Sequence, residues 1–116
     1  MAEPTDLIAF VFVSDLKQSH HFYSRILGLN LVVDQTSCLI YRVSPSGLLG
    51  ICERRDQVVP GGLIVTLVVD DVDETHRGIT AAGGVAESDP AHSEQYGIRH
   101  AFYRDPDGHL IEIQRF

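Results

Sequence analysis

Apolar and polar residues change rhythm along this chain in a fixed order, and that order occurs twice. Residues 7–13 (LIAFVFV) and 63–69 (LIVTLVV) are nearly unbroken apolar runs rich in β-branched and aromatic side chains, as strands should be. Two residues beyond each run stands an acid, Asp15 or Asp71, placed to accept hydrogen bonds from the unpaired amides that open a helix. Leu16, Phe22, Tyr23, Ile26 and Leu27 mark a helical stretch in the first copy, and Val72, Ile79 and Ala82 mark one in the second. Gly28 and the pair Gly83, Gly84 predict where these helices stop. Three shorter strands follow each helix: 31–33, 38–43 and 49–54 in the first copy, 85–87, 99–104 and 110–114 in the second.

A shift of 56 residues lays one copy on the other, with Ile8 on Ile64, Val13 on Val69, Asp15 on Asp71, His20 on His76 and Gly28 on Gly84. The final strands match at a shift of 61, LGICERR (49–55) on LIEIQRF (110–116). The second copy therefore has a longer loop, assigned to ESDPAHSEQYGI (87–98). The predicted architecture is one α+β domain over 1–116. It consists of two β-α-β-β-β modules, 5–57 and 63–116, joined by the hinge VVPGG at 58–62.

Paired modules of this order, with VSDLKQSHHFYSRILGL in the first and DPDGHLIEI closing the second, resemble the vicinal oxygen chelate superfamily. It includes glyoxalase I, extradiol dioxygenases, fosfomycin-resistance transferases and bleomycin-resistance proteins. The resemblance covers essentially the whole chain. It implies that the sheet is mixed and curls into a cup, with the helices outside and a ligand cavity within. It also implies a homodimer, since many members build the cavity from two chains. Metal-using members take ligands from the first and fourth strands of each module. The repeat alignment puts those positions at Ile8, Ile51, Ile64 and Glu112. Isoleucine cannot donate to a metal, and a divalent site needs three or more N, O or S ligands. Glu53, on the same strand face as Ile51, raises the count only to two. No metal and no cofactor are expected.

Composition narrows the partners further. A formal net charge of −7 on 116 residues argues against nucleic acid and anionic membrane, both of which need basic surface, and is compatible with a cationic ligand. No segment approaches a membrane span, and MAEPTDL lacks the basic and apolar regions of a signal peptide, so the expected setting is cytoplasmic. Cys38 and Cys52 accordingly read as reduced, mostly buried thiols. A disulfide stays open, because their two strands can be neighbours.

Strand parity names the expected lining of the cup. If Ile8 faces inward, so do Phe10 and Phe12; Ile64 brings Thr66 and Val68, and Ile51 brings Leu49 and Glu53. A three-residue loop, Pro106-Asp107-Gly108, pairs Asp105 with His109, setting Arg104 opposite Leu110, Phe102 opposite Glu112 and His100 opposite Gln114. The expected ligand contacts are Phe10, Phe12, Ile51, Glu53, Thr66, His100, Phe102, Arg104 and Glu112. Glu112 is also the candidate general base, with His100 or Arg104 to stabilise an enolate; a purely structural pairing of Glu112 with either is the plainer alternative. His20 and His76 are assigned to solvent or to the helix–sheet seam. AHSEQYG (91–97) reads as a surface loop, or as a lid carrying Tyr96. Three functions follow in order: metal-independent binding of a drug or metabolite; a lyase or isomerase using Glu112; and a metal-dependent glyoxalase or dioxygenase, which the isoleucines oppose.

Overall fold

Asp15 and Asp71 open the two helices as the sequence predicts. In the computed structural model, which describes residues 2–116, each carboxylate accepts the amide N–H three residues on, from Gln18 and Glu74, both at 3.0 Å. The first helix, α1 (Leu16–His20), widens into a π-helical segment at His21–Ile26, where the Leu27 amide reaches back to the Phe22 carbonyl. The second, α2 (Val72–Ala81), is regular and ends just before Gly83.

The chain divides into two units, the first ending at Val59 and the second covering Pro60–Phe116. In the first, β1 (Ile8–Val13), β2 (Asn30–Asp34), β3 (Cys38–Ser44) and β4 (Gly47–Glu53) make a sheet in the order β1-β4-β3-β2. In the second, β5 (Ile64–Val68), β6 (Ala91–Ser93), β7 (Ile98–Arg104) and β8 (Leu110–Arg115) repeat it as β5-β8-β7-β6. Both sheets are mixed: first and last strands pair parallel, and the remaining ladders are antiparallel. The predicted α+β class and the doubled β-α-β-β-β order are both present.

Each unit buries the row of side chains that faces its helix. In the first this row includes Val11, Val13, Tyr41, Leu49 and Ile51; in the second it includes Ala101, Tyr103, Ile111 and Ile113. Removing a Val or Ile side chain of this kind from water contributes roughly 1.5–3 kcal/mol. The two buried tyrosines also anchor the helices. Tyr41 Oη lies 2.7 Å from His20 Nδ1, and Tyr103 Oη lies 2.6 Å from His76 Nδ1. Burial pushes both phenols up to about 12, so each keeps its proton at neutral pH. The helix–sheet seam, not solvent, is therefore where His20 and His76 sit.

Three expectations need correction. Residues 85–87 form no strand, only a bridge from Ala86 to Tyr103; strand pairing resumes at β6, inside the segment read as a loop. Pro90 stands between them, and a residue without an N–H cannot carry a ladder across. The repeat offset for the last strands is 62, not 61: Ile8 pairs with Leu48, and Ile64 with Leu110. Third, Cys38 and Cys52 are not free thiols. They lie directly opposite each other on β3 and β4, 4.1 Å apart at Cα, and are joined by a disulfide. A Glu53 amide to Ser37 carbonyl bond flanks them, which makes this the narrow type of cross-strand pair, where side chains approach closely. Among the described residues, no helix is long and apolar enough to cross a membrane.

The buried phenols set a pH limit on stability. Their folded pKa values, about 12, lie above the usual 10.0, so their contribution is fully present below about pH 10 and is lost as pH rises through 12. Urea midpoints at about pH 9 and about pH 11.5 should show the loss, and Tyr103→Phe should shrink it by about half.

Candidate functional site

Alternation along each strand gives every sheet a helix face and an open face. The helix face of the first unit is marked by Glu53, whose Oε1 accepts the Leu16 amide at the start of α1 at 2.9 Å. Ile51, two residues earlier, shares that face and is fully buried. Neither belongs to the expected cup lining. Glu53 instead lines a cleft of about 390 Å³ beside the start of α1, together with Asp15, His20 and Asp34. The open face carries Ile8, Phe10 and Phe12 on β1, in register with Leu48, Gly50 and Cys52 on β4. Phe10, 43% exposed, lies against Gly50 so closely that any Cβ at position 50 would collide with its ring.

In the second unit the last hairpin has the expected register: Phe102 opposite Glu112, His100 opposite Gln114, Arg104 opposite Leu110. The Asp-Pro-Asp-Gly turn fixes it. The Asp105 amide donates to the His109 carbonyl and the Gly108 amide to the Asp105 carbonyl, with Gly108 at φ +90°, where a side chain would be strained. Thr66 on β5 is the Cα partner of Glu112, so both project from the open face beside Phe102.

Glu112 is buried there, 8% exposed, and both its oxygens are engaged. The Thr66 hydroxyl donates to Oε1 at 2.8 Å, and His100 Nδ1 lies 2.7 Å from Oε2. The His100 ring meets Phe102 edge-on, with centroids 4.9 Å apart. Arg104 is elsewhere: its guanidinium binds Glu87 at 2.7 Å and the Gly108 carbonyl at 3.1 Å, so it does not serve as the partner of Glu112. The cluster is a carboxylate held from two sides, with His100 Nε2 as the ring nitrogen not directed at it.

The corrected offset of 62 moves one of the metal-ligand positions. The repeat equivalent of Glu112 is Gly50, not Ile51, and the set becomes Ile8, Gly50, Ile64 and Glu112. One donor among four does not suit a divalent ion. Among the described residues, no group of three or more His, Cys, Asp or Glu side chains is arranged to hold a metal.

Comparison with known proteins agrees with this architecture. The sequence profile of the Glyoxalase/Bleomycin resistance protein/Dioxygenase superfamily matches residues 6–113. The chain belongs to this superfamily. A glyoxalase / bleomycin resistance protein from Catenulispora acidiphila is similar in structure, with a TM-score of 0.83 and 25% identity over 97% of this chain and 99% of that one. A probable lactoylglutathione lyase of Vibrio cholerae is 27% identical over 116 residues, covering 87% of this chain and 83% of that protein. An uncharacterised protein of Bacillus subtilis is also 27% identical, over 90% of this chain and 93% of its own length.

The Thr66 to Glu112 bond should be measurable. Thr66→Val keeps the shape but leaves a buried carboxylate oxygen without its donor, which costs about 1–3 kcal/mol; Thr66→Ser, which keeps the hydroxyl, should recover most of it. Urea denaturation of the three proteins separates lost hydrogen bonding from lost packing.

Proposed function

We propose that this superfamily member binds a small organic molecule without metal, on the open face of its second sheet, with Glu112 as the polar anchor. One observation carries this reading: the carboxylate is buried in an apolar setting, yet both oxygens are already held by Thr66 and His100. An arriving ligand therefore meets a fixed acceptor among Phe102, Ile64 and Val68, the last two about half exposed. Ligand sites are commonly apolar surfaces with a few placed polar groups. The chemistry selects a ligand with an apolar body and a hydrogen-bonding or cationic substituent, in keeping with the net charge of −7.

The geometry also supports an enzymatic second reading. A carboxylate bonded to Nδ1 of a histidine orients the ring and leaves Nε2 to take a proton, so a lyase or isomerase would use His100 as base and Glu112 as its positioning residue. This differs from the expectation that Glu112 itself is the base. The Vibrio relative is named a probable lyase, and the name of the Catenulispora protein covers both classes.

A thermal-shift screen of amphipathic amines and bleomycin-type glycopeptides tests the first reading. A true ligand should raise Tm and perturb NMR signals of 64–68, 100–104 and 110–114, and Glu112→Gln should weaken it by about tenfold, the equivalent of about 1.4 kcal/mol. Ligands bound equally well by Glu112→Gln, with no signal change on those strands, would refute it. Under the second reading the same variant lowers turnover by about 10²–10⁴ while binding persists.

A further inference from the structure

We propose that Cys38 and Cys52 form a reversible dithiol–disulfide site on the open face of the first unit, exchanging with a low-molecular-weight thiol. The inference does not rest on any role of Glu112.

Position is the first argument. Both cysteines lie on the face opposite α1: Phe12, Cys52 and Cys38 form one row across β1, β4 and β3. The row beside it contains Phe10, Gly50 and Ile40. Internal repetition adds a second argument. At the offset of 62, Cys38 corresponds to His100 and Cys52 to Gln114, in the row next to the Gly50 that corresponds to Glu112. The disulfide thus lies beside the place where the second unit keeps its polar cluster, sharing with it the position of His100.

The link is also dispensable to the strands that it joins. β3 and β4 pair in register from Leu39 opposite Ile51 to Arg42 opposite Leu48, and a tight turn closes them at Ser44 and Gly47. Opening the sulfur–sulfur bond leaves that ladder and its turn in place. Cys38 is half-buried and Cys52 is buried at 6% exposure, so the Cys38 sulfur is the one that an incoming thiolate reaches. The Arg54 guanidinium lies 5.9 Å from the centre of the Phe12 ring, and Phe12 is the Cα partner of Cys52, so the row that carries the disulfide ends beside a cation.

The reaction balances as an ordinary thiol–disulfide exchange. A thiolate RS⁻ attacks Cys38 Sγ; the Cys38–Cys52 bond breaks, and its electron pair leaves on Cys52 Sγ, which takes up a proton. A mixed disulfide now stands at Cys38. A second RS⁻ attacks the R-bearing sulfur and releases Cys38 as a thiolate, which is protonated in turn. Two thiols are oxidised to RSSR and the protein disulfide is reduced to two thiols. The open face changes from a covalently closed apolar row to one bearing two nucleophilic groups.

The test uses mixtures of reduced and oxidised glutathione, followed by acid quenching, alkylation and mass spectrometry of the native full chain. We expect alkylation to rise from none to both cysteines as the reduced fraction grows, and to reverse when oxidised glutathione is restored. NMR of the reduced chain should keep its dispersion, with changes confined to 10–13, 38–42 and 50–54, and the Cys38→Ser/Cys52→Ser variant should give a similar spectrum. A disulfide untouched by reduced glutathione until the chain is denatured would identify a permanent staple and overturn the proposal. So would loss of dispersion on reduction, or thiols that oxidised glutathione never closes.

Discussion

Everything that faces outward or inward in this protein follows from how the first strand of each unit pairs with the last. The pair is parallel, so the chain must travel through a helix and two further strands before it can return beside its start. That crossover lays the helix on one side of the sheet. Once Ile8 is opposite Leu48, Val11, Val13, Leu49 and Ile51 are committed to the helix, while Phe10, Phe12, Gly50 and Cys52 are committed to the other side. In the second unit the same choice sends Ile111 and Ile113 inward and leaves Glu112 on the open face. A slip of one residue would push the Glu112 carboxylate into the helix-facing core, away from Thr66 and His100, at the cost of burying a charge without partners.

That sensitivity explains what could be read in the sequence. The helix starts were legible because Asp15 and Asp71 are placed for one physical task, accepting the first free amides. The last hairpin was legible because Asp-Pro-Asp-Gly admits few turns, and the turn fixes the register that places Phe102 opposite Glu112. Ile51 and Glu53 were misplaced for the complementary reason. Aligning two apolar strands by resemblance rewards isoleucine over isoleucine and is blind to which way either points. The true offset had a signal of its own: at 62, Tyr41 falls on Tyr103 and Arg42 on Arg104. The interrupted strand at 85–93 was hidden because backbone pairing stops at Pro90 and starts again, which hydrophobic pattern does not record.

The two units keep one set of contacts and change another. Both retain an Asp cap and a His–Tyr bond between helix and sheet, spaced identically along the helix and resting on the same strand position. These contacts attach the helix to the sheet. On the open face the paired positions differ together. Where the second unit has Glu112, its neighbour is Thr66, a donor; where the first has Gly50, its neighbour is Phe10, a ring that fills the space.

That joint change has a physical logic. A buried carboxylate is tolerable only with donors at hand, and a glycine in a strand leaves a gap that a large neighbour must cover. Converting one face into the other would therefore take at least two substitutions, because Glu beside Phe10 would lack a donor and Gly beside Thr66 would leave a hole. The superfamily scaffold permits either solution because the ladder runs within the sheet and the helix contacts lie on its other side. Chemistry on the open face can diverge without touching what holds the unit together. A carboxylate cluster in one unit and a cysteine pair in the other are the result.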